Sequence, residues 1–388
     1  MRIQSPPWAL IPLLLIYKAR NKYEVNFYII KSRRVKMDIS TFEEKAVASA
    51  LFTAPVVGQD LKKFLDWETA RIKGLALQAL EEKIEHVYWV GAGNSRVNLM
   101  SGKELLDRFS LLPSDCYYSY EFIWRNPQRL NSKALVFLAS YSGNTEDTVA
   151  AMRFAREKGA KTVAYVNQVD CLMGREADLA IPYQSKALFS LPLAAAFLFA
   201  LEYARLNGNT ECEAILEELT RVPDLLTRQY LAEKEPALEL ARSFQGQEMI
   251  YTLADGPLFG LGYKFGLTVF MENMRVNGSF MEAAEFRHGP AEMLDRHKPA
   301  FVILKGKDES RPLVERVISL LQARSLPMIV FDAEKYNPLN TLFDPFLLKI
   351  PLQWFAVYSA YLRGIYDLDE RVLMGRGLMG QGKGVTWP

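Results

Sequence analysis

The feature that most constrains the fold is a regular alternation of short apolar runs with helix-like segments in the first half of the chain. The apolar runs are rich in β-branched and aromatic residues, which is typical of buried strands. Because they are apolar throughout, both faces of the resulting sheet must be covered, which indicates a parallel sheet between layers of helices. The predicted strands are 84–90, 134–140, 162–167 and 179–183, and the predicted helices are 98–109, 144–158 and 190–206.

The same alternation restarts in the second half, after a polar helical segment that is broken at Pro223 and is interpreted as a linker. A chain of 388 residues suits two domains. The predicted strands here are 248–253, 300–304, 328–332 and 347–350, the predicted helices are 263–276, 309–323 and 352–366, and 256–262 is a predicted turn. The predicted organisation is an extension (1–36), N-terminal helices (37–75), a first α/β domain (76–206), a helical linker (207–245), a second α/β domain (246–366) and a tail (367–388).

The first 36 residues differ from the rest in charge and hydropathy. They carry a net charge of +7, which leaves about −5 for the remaining 352 residues. The apolar run at 8–17 has about ten residues, half of a membrane span, and no small-residue cleavage site follows it. We therefore expect an extension outside the fold, with an anchor or targeting segment as the alternative.

The rest of the chain does not resemble a nucleic-acid or membrane protein. A mildly acidic body lacks the basic face that nucleic-acid binding requires. The apolar segment 190–206 contains Glu202 and Arg205 within an α/β pattern, which favours a buried helix over a membrane span. The three cysteines are widely spaced and there are only three histidines, so neither a disulfide framework nor a metal site is expected. The predictions are a cytoplasmic protein with no metal, no cofactor and no nucleic-acid or membrane partner.

A hydroxyl-rich loop joins the second predicted strand to its helix. Ser140, Ser142 and Thr145 can all donate hydrogen bonds, and Gly143 allows the backbone to approach a ligand closely. The N-terminus of a helix offers unpaired N–H groups and partial positive charge, so the loop is suited to a phosphate dianion. The alternative is an ordinary capped helix start, because Ser, Asn and Thr are common capping residues.

The turn after the first strand, Gly91 to Ser95, forms the matching half of this candidate site. It lacks the third glycine of a dinucleotide-binding fingerprint. Turns after neighbouring parallel strands face one crevice at the carboxyl edge of the sheet. We therefore expect Asn94 and Ser95 to lie opposite Ser142.

A glutamate and a histidine in the second half are candidate acid–base groups. His288 is followed by Gly-Pro, which predicts a turn or helix start, and imidazole exchanges protons near neutral pH. Glu272 lies among Phe270, Met271 and Met274, and apolar surroundings would raise the pKa of its carboxyl group and make it a better base. The alternatives are a structural histidine and a solvated acid at a helix end.

These motifs together resemble the double sugar-isomerase (SIS) proteins, and in particular the fructosamine 6-phosphate deglycases. The resemblance rests on the loop SYSGNT, the turn GAGNS and a glutamate sixteen residues before HGP. It extends to 249–266, 285–294 and 307–316, and covers about 45–370. It implies two flavodoxin-like SIS domains and an enzyme without metal or organic cofactor that acts on a small sugar phosphate.

The resemblance also implies roles for individual residues. Glu272 would move a proton between C1 and C2, and His288 would open the sugar ring and act as an acid. In related enzymes the histidine comes from the neighbouring subunit, so a homodimer or higher homo-oligomer with sites at the subunit interface is implied. The implied substrate-binding residues are Gly93, Asn94, Ser95, Glu121, Ser140, Tyr141, Ser142, Asn144 and Thr145.

Departures from related families bear on the reaction. Glucosamine 6-phosphate synthases carry a lysine three residues before the catalytic glutamate, where this chain has Val269, and a glutamine where it has Tyr141. The expected reaction is therefore hydrolytic deglycation of a fructosamine 6-phosphate, such as fructoselysine 6-phosphate, with aminosugar-phosphate isomerisation as an alternative. A sugar-phosphate-binding regulator without activity is the alternative of another class. The C-terminal tail departs from the short aromatic tails of the deglycases, which leaves the substrate open.

Overall fold

The structure is a computed structural model that describes residues 37–370. The predicted extension at 1–36, its alternative role as an anchor, and most of the predicted tail (371–388) lie outside the described residues. Within residues 37–370, no helix is both long and apolar enough to cross a membrane.

The first half forms a five-stranded parallel sheet in the order β2-β1-β3-β4-β5. Two helices precede it and further helices cover both faces. The elements are α1 (Ile39–Ala46), α2 (Val57–Glu81), β1 (His86–Gly91), α3 (Gly93–Phe109), β2 (Ser114–Tyr118), α4 (Ser119–Arg125), β3 (Ala134–Ser140), α5 (Glu146–Glu157), β4 (Lys161–Val166), α6 (Leu172–Glu176), β5 (Leu179–Pro182) and α7 (Ser190–Leu206).

The central strands are buried on both faces, as their continuous apolar character predicts. Alternate residues of β1 belong to different clusters: Trp89 packs in the core shared with the second half, whereas Tyr88 and Val90 pack in the cluster on the opposite face. This period of two follows from the pleat. Helix α7 is buried along nearly its whole length, which explains why its sequence is apolar all round.

Three helices connect the halves: α8 (Glu211–Leu219), α9 (Val222–Ala232) and α10 (Lys234–Ser243). Pro223 stands in the first turn of α9, where a missing N–H costs nothing. Buried residues of all three helices belong to the same core cluster as both sheets. The connection is thus a packed helical layer.

The second half forms a four-stranded parallel sheet in the order β7-β6-β8-β9. This order repeats that of β2-β1-β3-β4, so the two halves share one topology. The elements are β6 (Met249–Leu253), a 3₁₀ turn (Gly256–Leu258), α11 (Phe259–Tyr263), a π-helical turn (Lys264–Val269), α12 (Phe270–Glu272), β7 (Asn277–Met281), α13 (Ala283–Phe286), a 3₁₀ helix (Pro290–Asp295), β8 (Ala300–Lys305), α14 (Arg311–Ala323), β9 (Met328–Asp332), α15 (Ala333–Tyr336), a 3₁₀ turn (Thr341–Phe343) and α16 (Asp344–Leu362).

The strand predicted at 347–350 is wrong, because these residues lie inside α16. A short apolar run does not distinguish a buried strand from a segment of a buried helix, and α16 is buried from Asp344 to Tyr361. The closing helix was predicted to begin at residue 352. In the structure the helix continues through Pro351, although proline lacks the N–H for one backbone hydrogen bond and its ring crowds the preceding turn.

Two strands, β2 and β7, were not predicted. Both are edge strands of their sheets, and their sequences, SDCYY and NGSFM, lack the continuous apolar character of the central strands. The helix predicted at 263–276 is shifted, since helical structure runs from Phe259 to Glu272 and β7 follows. The turn predicted at 256–262 is mostly the start of this helical stretch. The predicted domain boundaries stay a prediction.

Candidate functional site

The candidate crevice lies where the strand order of the first sheet reverses. Strands β1 and β3 are paired to their ends, with Gly91 opposite Ala139, whereas β2 lies on the other side of β1. The turn after β1 and the loop after β3 therefore meet at the carboxyl edge, as expected from the sequence. Open α/β sheets bind ligands at such a reversal.

The turn after β1 is tighter than predicted, because α3 begins at Gly93 rather than at residue 98. Gly93 has φ of +51°, which favours glycine, and Ala92 before it provides no side-chain cap. Asn94 and Ser95 thus lie in the first turn of α3. The unpaired N–H groups of this turn contribute partial positive charge to the crevice.

The loop from Ser140 to Thr145 is held together by its own hydroxyl groups. Ser140 is 2% exposed, and its Oγ lies 2.7 Å from Oγ1 of Thr145 and accepts a hydrogen bond from the Gly143 N–H at 3.1 Å. Ser142 and Thr145 are exposed. Ser140 therefore supports the loop from behind, and the Ser142 and Thr145 residues lie at its exposed surface.

The helix after this loop, α5, has no side-chain cap. Thr145 is at the N-cap position but makes no capping hydrogen bond, because its hydroxyl group is paired with Ser140. This observation favours an anion-binding helix start over the capped-helix alternative. The side-chain oxygen of Asn144 already has a partner within the protein, since Oδ1 accepts a hydrogen bond from the Leu172 N–H at 2.9 Å. Tyr141 is 36% exposed beside the loop.

The structure gives Glu121 a local role. One carboxylate oxygen accepts from the Tyr118 N–H at 3.3 Å, as in a capping box at the start of α4, and the other lies 2.9 Å from Nε of Arg125. These contacts fix Glu121 at the same edge of the sheet as the crevice. Its predicted contact with substrate stays a prediction.

The two candidate acid–base residues belong to the second half and are exposed. Glu272 is the last residue of α12, and His288 lies between α13 and the 3₁₀ helix that begins at Pro290, as its Gly-Pro sequence predicts. The expected apolar surroundings of Glu272 are wrong for the single chain, because Glu272 and its neighbour Met271 are exposed while Phe270 and Met274 are buried. Helix periodicity turns Phe270 inward and Glu272 outward.

Direct contacts join the two halves next to the crevice, and sequence reasoning missed them. Nζ of Lys264 donates to Oδ1 of Asn94 at 2.8 Å, and the Tyr118 and Tyr263 hydroxyls lie 2.9 Å apart. The guanidinium of Arg96 stacks 4.2 Å from the centre of the Tyr118 ring. The sequence feature that could have identified Lys264 is its position as a single charged residue within the apolar run GLGYKFGLTVF.

The last described residues of the chain pass beside the candidate glutamate. Nδ2 of Asn273 donates to the Leu368 carbonyl at 2.6 Å, and Arg275 pairs with Glu370 at 2.7 Å. The start of the C-terminal tail is thus fixed to the segment that follows Glu272. Across residues 37–370, no group of three or more His, Cys, Asp or Glu side chains is arranged to hold a metal ion.

Comparison with known proteins gives consistent results. The SIS domain family matches residues 82–202, which include the first sheet and its crevice. A fructoselysine 6-phosphate deglycase of Escherichia coli is 31% identical over 86% of this chain and 97% of its own length. A fructosamine deglycase of Bacillus subtilis is 33% identical over 67% of this chain and 81% of its own. A glutamine–fructose-6-phosphate aminotransferase of Corynebacterium glutamicum is 28% identical, but the match covers 51% of that protein.

Solved structures agree with the sequence matches. A Bacillus subtilis protein described as a phosphosugar isomerase has a TM-score of 0.72 and 31% identity, over 80% of this chain and 99% of its own. A Salmonella typhimurium protein with the same description has a TM-score of 0.74 and 26% identity, over 80% and 96%. These matches extend over both sheets, which is consistent with two SIS domains of one topology.

Proposed function

The chain belongs to the family of SIS-domain proteins that includes the fructoselysine 6-phosphate deglycases, and from this premise we propose that it is a sugar-phosphate deglycase. The proposed reaction converts an Amadori-type fructosamine 6-phosphate and water to an aldose 6-phosphate and a free amine. The observation that carries the proposal is 31% identity over 97% of a curated fructoselysine 6-phosphate deglycase. The uncapped α5 and the hydroxyl loop supply a phosphate site, as this substrate requires.

The proposed chemistry needs only positioned acids and bases. The substrate is a ketose with its amine on C1, and His288 assists opening of the ring by protonating the ring oxygen. Glu272 removes a proton from C1 to give an enaminol and returns a proton to C2, which leaves an imine at C1. Water adds to the imine, and the C–N bond breaks to release the amine and the aldose 6-phosphate.

A second subunit is part of this proposal. Glu272 and His288 are both exposed in the single chain, although a proton-transfer site works best when it is shielded from bulk water. We propose that a homodimer or higher homo-oligomer places His288 of one copy beside Glu272 of another. An interface that shares one site between two copies would bury both groups.

The test compares wild type with Glu272→Gln and His288→Ala, using fructoselysine 6-phosphate and glucoselysine 6-phosphate. Both variants should lose turnover and keep binding of a hexose 6-phosphate. Glu292→Gln and His297→Ala change an exposed acid and an exposed histidine nearby and serve as matched controls. In D₂O the released sugar should carry deuterium at C2 to the extent that the proton held by Glu272 exchanges with solvent before C2 is reprotonated. Tight binding of a hexose 6-phosphate without turnover would instead support a regulator.

Mixing the two inactive variants tests the shared site. In a mixed dimer, the Glu272 of the His288→Ala subunit meets the His288 of the other subunit, so one of two sites is complete. An equal mixture should therefore regain about a quarter of wild-type activity after subunit exchange. If no activity returns although subunits exchange, both groups of a site come from one chain.

The aminosugar-phosphate isomerase alternative receives less support. The match to the aminotransferases covers about half of their length, and Val269 occupies the position of their lysine. Formation of glucosamine 6-phosphate from fructose 6-phosphate and ammonia, without turnover of either fructosamine donor, would favour this alternative.

A further inference from the structure

Lys264 is a buried lysine at the junction between the two halves. Its side chain is 8% exposed, and it begins the π-helical turn that leads through α12 to Glu272. Single π-helical turns inside helices are frequent at functional sites. Burying an ammonium group is costly unless hydrogen bonds compensate it, so the partners of Lys264 identify what the lysine does.

The contact with Asn94 determines how the Asn94 amide is turned. An ammonium group has donors only, so the atom that faces Nζ of Lys264 at 2.8 Å must be the amide oxygen. The amide nitrogen of Asn94 then points the other way. Its only hydrogen bond within residues 37–370, to the Leu188 carbonyl, is 3.4 Å long, whereas Asn98 donates to the same oxygen at 2.7 Å. Asn94 therefore keeps donor capacity for a ligand oxygen.

The surroundings of Lys264 hold the ammonium group in place. Nζ lies 5.7 Å from the centre of the Phe189 ring, just before α7. Close packing supports the same junction, since a Cβ added at Gly260, one turn earlier, would lie 2.9 Å from the Val97 carbonyl oxygen in α3. The segment that ends at Glu272 and the turn that contains Asn94 are thus fixed to each other.

We infer that Lys264 is a positioning residue of the phosphosugar site, which turns the amide N–H₂ of Asn94 toward the bound sugar phosphate. It acts through Asn94 and fixes the helical segment of Glu272 against the substrate turn. The inference rests on the proposed function, because it takes the crevice after β1 and β3 to be the phosphosugar site.

The test is a double-mutant cycle of Lys264→Met and Asn94→Ala, read as the Kd of glucose 6-phosphate by calorimetry and as kcat and KM. Loss of one hydrogen-bond donor to the ligand weakens binding about tenfold. Each single variant should show this loss, and the double variant should also be about tenfold weaker, because both changes remove the same contact. KM should rise with Kd, and Lys264→Arg, which keeps a donor, should recover most of the affinity.

Lys307→Met is the matched control. Lys307 also donates from a sheltered position, to the carbonyls of Asn337 at 2.7 Å and Leu339 at 2.5 Å, but lies on the loop after β8. This variant should lose stability and keep the wild-type Kd. The inference is overturned if Lys264→Met leaves Kd unchanged, if the two losses multiply to about a hundredfold, or if Lys307→Met weakens binding as much.

Because calorimetry measures binding without turnover, it distinguishes a failure of this inference from a failure of the proposed function. If wild type binds glucose 6-phosphate but turns over no fructosamine donor, the proposed function fails and the cycle still decides the role of Lys264. If wild type binds no hexose 6-phosphate, both the site and the role of Lys264 are refuted.

Discussion

Gly143 provides a direct test of whether the shape of the hydroxyl loop matters for binding. Its φ is +63°, and a Cβ added there would lie 2.2 Å from Sγ and 2.9 Å from Cβ of Cys171. Gly159, at the other end of α5, has φ of +80°, and its nearest neighbour atom would be 3.8 Å away. The two glycines thus share a left-handed conformation, but only Gly143 is also tightly packed.

The expected free energies differ accordingly. An alanine in the left-handed region costs about 1 kcal/mol at either site. At Gly143 the overlap with Cys171 adds about 1–3 kcal/mol, which gives a total of about 2–4 kcal/mol. Since the N–H of Gly143 donates to Ser140 and its carbonyl accepts from Met173 at 3.0 Å, movement of this residue also moves the hydroxyl groups.

The assay compares urea unfolding and the Kd of glucose 6-phosphate for Gly143→Ala and Gly159→Ala. Gly159→Ala should lose about 1 kcal/mol of stability and keep its affinity. Gly143→Ala should lose more stability and bind at least tenfold more weakly. Adding Cys171→Ala to Gly143→Ala removes the closest overlap and should restore part of the stability. Equal losses of stability for the two glycine variants, with unchanged affinity, would refute the reasoning.

Three further predictions concern buried titratable groups. Burial, and then the neighbouring Lys264, lower the pKa of Lys349 to about 7. Between pH 7 and 10.5 the unfolded chain therefore binds a proton that the folded chain does not. In urea titrations, Lys349→Met should increase the free energy of unfolding on the order of 4 kcal/mol at pH 7 and by much less near pH 10.5. Glu104 lies beside a cavity of about 690 Å³, and burial, and then Asp308, raise its pKa to about 7. Glu104→Gln should therefore increase the free energy of unfolding on the order of 3 kcal/mol above pH 7, and this gain should disappear below pH 4.5. A gain in stability that does not depend on pH would contradict this. Burial raises the pKa of the Cys116 thiol to about 11. Alkylation of Cys116 by iodoacetamide at pH 8, followed by mass spectrometry, should therefore be slow. Labelling as fast as that of a free thiol would disprove this prediction.

The central strands and the long helices could be predicted because local sequence determines them. Strand β3 and helix α7 have the predicted bounds, since each is apolar, buried and limited by clear breaks. The edge strand β9 also has the predicted bounds, because its sequence MIVFD is mostly apolar although only alternate residues are buried. The edge strands β2 and β7 could not be predicted in the same way, because their sequences SDCYY and NGSFM lack the apolar run that the edge strand β9 has. The run at 347–350 shows the opposite error, since hydrophobicity reports burial and does not report the element.

The candidate site also contains some features that local sequence predicts and others that only packing determines. The sequence located the loop at 140–145, the turn at 91–95, Glu272 and His288, because each combines a characteristic residue type with a predicted strand end or turn. It could not show that Ser140 lies behind the loop or that Glu272 points to solvent, since both depend on which way a side chain faces after packing.

By itself the sequence determined two α/β halves and the position of a hydroxyl-rich loop at a helix start, because periodicity, glycine and hydroxyl groups act through local conformation. Only the tertiary structure decided that Lys264 meets Asn94, 170 residues earlier in the chain, and that Tyr118 meets Tyr263. These contacts arise from the packing of one half against the other. Such packing depends on the shapes of both surfaces at once, and a linear pattern of residues does not encode it in any one place.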